Sequence, residues 1–301
     1  MPETALTLDH IVIAVRDVVA ARETYDVLLG RAPSWRGRHP AYGTENVLYR
    51  LDNTYVELLA PAADAAAGAW AGRLRAYLDQ RGEGLWALAV GTTELDALVA
   101  RLRRRGLPVA DPAPGEGEDL DTGARRAWRN AFVPAEAMRG VVCFFIEHRS
   151  PPEALPPAPP VASEGSYITH VDHVVVTSAN LDASRRLWGD VVGVRLARER
   201  DFPERNSRLL FFRLRDITLE LAGRMNGAAT DEGDRLWGVA YEVGDVAAAV
   251  ARLRDAGFDV SDVREGRGER TRVATVRGPT CGVPTLLIEN LWRRDEKEEP
   301  R

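Results

Sequence analysis

Residues 8–15 read LDHIVIAV and residues 171–178 read VDHVVVTS. Each is an apolar, β-branched run opened by an Asp-His pair, and burying such polar groups costs free energy unless they find partners. The chain does this twice, 163 residues apart, at the head of a longer repeat. Laying residues 8–60 on 171–223 without a gap gives eleven identities, among them Asp9/Asp172, His10/His173, Gly30/Gly193, Arg50/Arg213 and Glu57/Glu220. Further on, VARLRRRG (99–106) matches VARLRDAG (250–257), and GVVCFFIEH (140–148) matches GVPTLLIEN (282–290). The same order at shrinking offsets means duplication with unequal loops.

A smaller unit recurs inside each half. Residues 8–15 alternate as a strand, 17–29 carry a helical period that stops at Gly30, and NVLYRL (46–51) and TYVELLA (54–60) read as strands. WALAV (86–90), a helix over 93–106, RAWRNAFV (126–133) and VVCFFIEH (141–148) repeat that order. Four βαβββ units follow, at 8–61, 85–149, 171–223 and 237–292, and the expected class is α+β. Residues 62–84 form an added connector with a helical pattern. The stretch 149–166 holds six prolines and predicts a semi-rigid extended linker. The expected division is 1–149, a linker at 150–168, 169–293, and a charged tail at 294–301.

Bulk properties narrow the function. The 301 residues are 45% hydrophobic and 28% charged, as in a globular protein of two domains. A net charge of −5 and no basic stripe beyond RLRRRG (101–106) argue against nucleic acid. No apolar run exceeds six residues, as in VVCFFI (141–146), too short to span a bilayer. Cys143 and Cys281 make no disulfide framework, and no cationic start leads into an apolar stretch, so the expected location is the reducing cytoplasm. The expected partner is a small molecule, and the expected state a monomer or homodimer.

The unit order, the two DH-headed strands, and strand ends such as YVELLAP (55–61) and LLIE (286–289) resemble the vicinal oxygen chelate superfamily. GRHPAYGTEN (37–46) and GVVCFFIEH (140–148) are most similar to its glyoxalase-like branch. The resemblance implies two tandem cups, each of two βαβββ units around a divalent metal, with ligands on the first and last strands of each unit. Strand parity puts His10 on one face with Leu8, Val12 and Ala14, Glu57 with Tyr55 and Leu59, and Glu147 with Cys143 and Phe145, with His148 opposite. Asp9 falls on the face away from His10. The implied metal ligands are His10, Glu57 and Glu147 in the first cup and His173, Glu220 and Glu289 in the second, a set suited to Mn, Fe, Co, Ni or Zn. The bland alternative is a satisfied core histidine and salt-bridged glutamates, with Arg50 or Arg213 as partners.

Aligning LWALAV (85–90) and GVAYEV (238–243) on the His10 strand puts Leu85 and Gly238 where the family has a further ligand. Neither coordinates, and a two-His, one-carboxylate iron site is missing, so ring-cleaving dioxygenase chemistry ranks last. The first half keeps His39, Asn46 and Tyr55 where the second has Phe202, Leu209 and Thr218, so it is the expected active half. Glu57, Glu147 and His39 are the candidate acid–base groups, and Arg129, Asn46 and Tyr55 the candidate substrate contacts. Two functions stay open. One is a metal-dependent lyase or isomerase moving a proton beside a chelated carbonyl or enediolate. The other is a metal-free binding or resistance protein whose cup is lined by aromatics such as Trp35, Tyr42, Trp86 and Trp128. Units pair within halves or across them; short connections favour the former.

Overall fold

The computed structural model describes residues 6–62, 69–226, 230 and 232–291. The expected charged tail at 294–301 and part of the connector, 63–68, lie outside them. The first half runs β1 (Thr7–Ala14), α1 (Val18–Leu29), β2 (Trp35–His39), β3 (Thr44–Arg50), β4 (Tyr55–Pro61), α2 (Ala69–Arg81), β5 (Gly84–Gly91), α3 (Leu95–Arg104), β6 (Ala113–Asp119), β7 (Arg125–Phe132) and β8 (Val142–His148). The second runs β9 (Ile168–Thr177), α4 (Leu181–Arg185), β10 (Arg195–Phe202), β11 (Ser207–Leu214), β12 (Ile217–Arg224), β13 (Arg235–Val243), α5 (Val246–Asp255), β14 (Asp259–Val260), β15 (Arg264–Glu265), β16 (Thr271–Gly278) and β17 (Thr285–Asn290). The described residues thus follow the βαβββ order of an α+β chain, with α2 as the helical insert between the first two units.

Local chemistry sets the helix ends. Asp17 caps α1 by accepting from the Val19 and Ala20 N–H groups, and Gly30 ends it in the left-handed region at φ 64°. The buried stripe of α1 (Tyr25, Leu28, Leu29) packs on the outer face of the sheet, within an apolar core that runs through both halves.

Units pair within halves. β1 lies antiparallel to β5, and β9 to β13, so a crosswise cup joining His10 and Glu57 to Glu289 does not form. The halves then differ. The first closes as a barrel in the order β1-β4-β3-β2-β6-β7-β8-β5, fuller than the open cup expected, whereas the second stays an open nine-stranded sheet. The seam is β2 on β6, Gly37 opposite Asp119 and Arg38 opposite Glu118.

Small residues make that seam possible. A Cβ on Gly37 would lie 2.1 Å from Trp35 Nε1, and one on Gly115 2.3 Å from Trp128 Nε1, so each indole lies across a glycine of its own or the neighbouring strand. In the second half Arg198 and Arg200 stand at the places of Trp35 and Gly37, and the matching strand is broken into β14 and β15. Gly37→Val is therefore expected to cost about 1–3 kcal/mol by overpacking. Urea melts check this, and an unchanged midpoint would contradict the seam.

The proline-rich stretch is extended, yet it is docked along the first half. Pro160 bridges to Arg31, the Ala32 N–H donates to Pro159 O, and Leu155 packs with Trp35, Leu48 and Tyr55. Its carbonyls are the reason: buried Arg31 donates to Ala158 O and Ile168 O, and Arg50 donates to Pro152 O and Leu155 O. Arg50 and Arg213, the latter donating to Thr218 Oγ1, thus serve neither Glu57 nor Glu220.

Candidate active site

The interior of the first barrel holds a chamber with about 730 Å³ of non-atom space, the open solvent at its mouth included. Its walls include Trp35, Tyr42, Tyr55, Trp70, Trp86, Trp128, Phe132 and Phe144, with His10, His39, Thr44, Asn46, Glu57, Arg126 and Asn130 among the polar groups.

The DH pair is a unit. A bulge in β1 leaves Asp9 without a partner on β5 between Leu8/Val90 and His10/Ala89. The bulge sends Leu8 to the outer core with Ile11 and Ile13, so Leu8 does not share the face of His10 as strict alternation implied. It also brings Asp9 beside its neighbour rather than to solvent on the opposite face. The His10 Nδ1–H donates to Asp9 Oδ1 at 2.7 Å, and His148 Nε2 donates to Asp9 Oδ2 at 2.9 Å. β9 repeats the device: Asp172 is bulged and lies 2.7 Å from His173 Nδ1.

From His10 a polar chain crosses the chamber wall. His10 Nε2 lies 3.4 Å from Glu57 Oε2, and Asn46 Nδ2 donates to Glu57 Oε1 at 2.7 Å. The same amide lies 3.4 Å from His39 Nε2, whose Nδ1 lies 3.1 Å from Thr44 Oγ1. Tyr55 stacks on His10 with centroids 4.4 Å apart. Of the sequence candidates, His10, His39, Asn46, Tyr55 and Glu57 are brought together.

Burial and charge push the two imidazoles apart. Burial lowers the affinity of His10 for its proton, but Asp9 and Glu57 on either side outweigh it, and the group is raised to about 8. Burial holds His39 below its ordinary value, with the neighbouring Glu57 charge too weak to offset it. Glu57 is buried, which opposes ionisation, yet the bonds from His10 and Asn46 keep it below the usual carboxylate range. At neutral pH the wall presents an imidazolium, a carboxylate and a neutral imidazole. Because His10 binds its proton more tightly folded than unfolded, its stabilisation is complete below about pH 6.5. That contribution is lost as pH rises through about 8, a change on the order of 2 kcal/mol. Urea melts at pH 6.5 and 9 of wild type and His10→Gln are expected to differ by that amount; equal slopes against pH would contradict it.

Three sequence candidates lie elsewhere. Phe144 and Ile146 line the chamber, so alternation turns Glu147 to the outer face. There it pairs with Arg149 at 2.9 Å and Arg129 at 3.5 Å, and Arg129 also grips Asp96 of α3. Glu147 and Arg129 are cross-strand neighbours on the outside of the barrel, neither acid–base group nor substrate contact in the chamber. Glu289 is likewise outside: it accepts from Arg272 at 2.6 Å and from the Val246 N–H at the start of α5. In the second half His173 and Glu220 face each other at 3.9 Å, with Leu209 and Thr218 where Asn46 and Tyr55 stand in the first.

These placements decide the fit of a metal. Val12 lies opposite Glu57, and Ala89 opposite Phe144, so Ala87 and Phe144 hold in the second unit the places of His10 and Glu57. Ala87, two residues beyond Leu85, is the true counterpart; it coordinates no better. Gly238 and Leu286 fill the same places in the second half. Among the described residues no three His, Cys, Asp or Glu side chains gather to hold a metal ion. Two imidazoles and one carboxylate stand on this wall, but the Asn46 amide separates His39 from Glu57, and His10 and Glu57 already have protein partners, so the three do not converge as a protein-held metal centre.

Sequence reading missed Arg126 and Asn130. Both share the inner face of β7 with Trp128, so parity counted from that indole would have found them. Among the described residues no helix is long and apolar enough to cross a membrane.

A family model described as "Glyoxalase-like domain" matches residues 8–168, and "Glyoxalase/Bleomycin resistance protein/Dioxygenase superfamily" matches 172–275. No curated protein matches the chain. A mutant 4-hydroxymandelate synthase from Streptomyces coelicolor is similar at TM-score 0.67 and 17% identity, over 95% of this chain and 93% of that one. The Mn(II)-bound glyoxalase from Novosphingobium aromaticivorans gives 0.63 and 17%, over 96% and 83%. A hypothetical protein from Staphylococcus aureus gives 0.60 and 15%, over 94% and 98%. At these identities the likeness is one of fold.

Proposed function

Because the chain belongs to the glyoxalase-like domain family of the vicinal oxygen chelate superfamily, we propose that its first barrel is an isomerase- or lyase-type site working by acid–base chemistry without a protein-held metal. The observation that carries this reading is the pair of imidazoles on one chamber wall, His10 held protonated and His39 held neutral. Two titratable groups pushed in opposite directions are what proton transfer near pH 7 needs.

In the proposed step, neutral His39 takes a proton from a carbon next to a carbonyl. The electron pair moves to the carbonyl oxygen, whose growing charge is met by the His10 imidazolium. At 3.4 Å the contact to Glu57 is at the long limit of a hydrogen bond, so the His10 Nε2–H is still available to that oxygen. Asp9 fixes the ring through Nδ1, Asn46 holds Glu57 and faces His39, and the aromatic walls exclude water. Delivery of that proton by His39 to the neighbouring carbon of the enediolate, as the electron pair returns from the oxygen, gives the isomer; loss of a neighbouring leaving group with its bonding pair gives the lyase outcome. Incubating the protein in D₂O with a panel of small α-hydroxy and α-keto carbonyl compounds tests it, with NMR following C–H exchange. Exchange that persists in chelator and falls in His10→Gln and His39→Gln supports the reading. Binding without exchange would favour the sequestering alternative, for which the aromatic lining speaks.

A further inference from the structure

β7 lays a graded ladder along one wall of the chamber: Arg126, Trp128, Asn130 and Phe132, every second residue, all line it. Arg126 is 7% exposed, and among the described residues it has no carboxylate within ion-pair distance. Its guanidinium lies 5.6 Å from the Tyr55 ring centroid and 5.7 Å from that of Trp35. A cation buried this deeply is costly unless an anion meets it, and the planar fork is shaped for a carboxylate. Asn130 is also buried, and among the described residues its Oδ1 has no hydrogen-bond partner. The two residues are four apart on one strand, roughly 13 Å between Cα atoms, with the Trp128 indole between them.

We propose that the chamber is specific for an aromatic carboxylate bearing a hydrogen-bond donor at its far end, resting on the reading of this barrel as a small-molecule site. The carboxylate lies on Arg126, the ring against Trp128, and the distal hydroxyl donates to Asn130 Oδ1. His39, edge-on to Trp128 at 5.6 Å, then stands over the ring side of the ligand. The second half could not take the same ligand: Thr271 occupies the register place of Trp128 opposite the last strand.

Calorimetric titration with 4-hydroxycinnamate, 4-hydroxycinnamamide and cinnamate tests the assignment. In the wild-type protein 4-hydroxycinnamate is expected to bind at least tenfold more tightly than the amide, and more tightly than cinnamate. Arg126→Gln should erase the preference for the acid, Arg126→Lys should restore part of it, and Asn130→Leu should erase the preference for the hydroxyl. Equal affinity for acid and amide in wild type, which needs no variant, overturns this proposal and leaves the chamber reading standing. No binding of any of the three also overturns this proposal, while the chamber reading falls only if the carbonyl panel shows neither binding nor C–H exchange.

Discussion

His39→Gln is expected to lower C–H exchange by roughly 10²–10⁴-fold while leaving the fold and the affinity for ligand nearly unchanged. Glutamine keeps a hydrogen-bonding end near Thr44 and Asn46 but has no basic nitrogen. The loss should fall on kcat, because the base acts in the transition state more than in binding. The wild-type rate should fall as pH drops through the lowered His39 value and again as pH rises through about 8, where His10 gives up its proton. A His39→Gln protein that exchanges at the wild-type rate would remove His39 from the mechanism.

Glu57→Ala is expected to cost about 3–5 kcal/mol of stability, the largest effect of any single change in the wall. The carboxylate is buried, and truncation leaves the His10 imidazolium with only Asp9 and the Asn46 amide without its acceptor. Glu57→Gln, which keeps a carbonyl for Asn46, should cost less and should let the His10 value fall from about 8. Urea melts and NMR titration of His10 read the two effects. A loss below about 1 kcal/mol for Glu57→Ala would mean that the polar chain is not what holds this wall together.

Much of this was legible in the sequence. Duplication and the four units follow from the repeats, His10 and Glu57 from the identities His10/His173 and Glu57/Glu220, and His39, Asn46 and Tyr55 from positions where the second half has Phe202, Leu209 and Thr218 instead. The errors have one physical source. Strand β8 is apolar on both faces, because one side lines the chamber with Phe144 and Ile146 and the other packs in the outer core with Cys143 and Phe145. Parity gives two faces without marking the inner one, so it does not separate Glu147 and Glu289, which lie outside, from groups that line a cup. A bulge is equally silent in a pattern of alternation: Asp9 and Leu8 each changed sides for that reason. The closure of one barrel and not the other goes with Gly37 beneath Trp35 on one strand and Gly115 beneath Trp128 across two, and alternation along a single strand marks only the first of these contacts. Arg126 was overlooked for Arg129 because β7 carries arginines of both parities, and only the position of the chamber separates them.

The central claim is that the first barrel works with its own imidazoles and without a metal held by its side chains. Metal analysis of the protein purified without chelator and dialysed against Mn, Fe, Co, Ni and Zn in turn tests it most directly. The account predicts well below one equivalent of each, unchanged in His10→Ala. One equivalent of a divalent metal retained by wild type and lost in His10→Ala would contradict it.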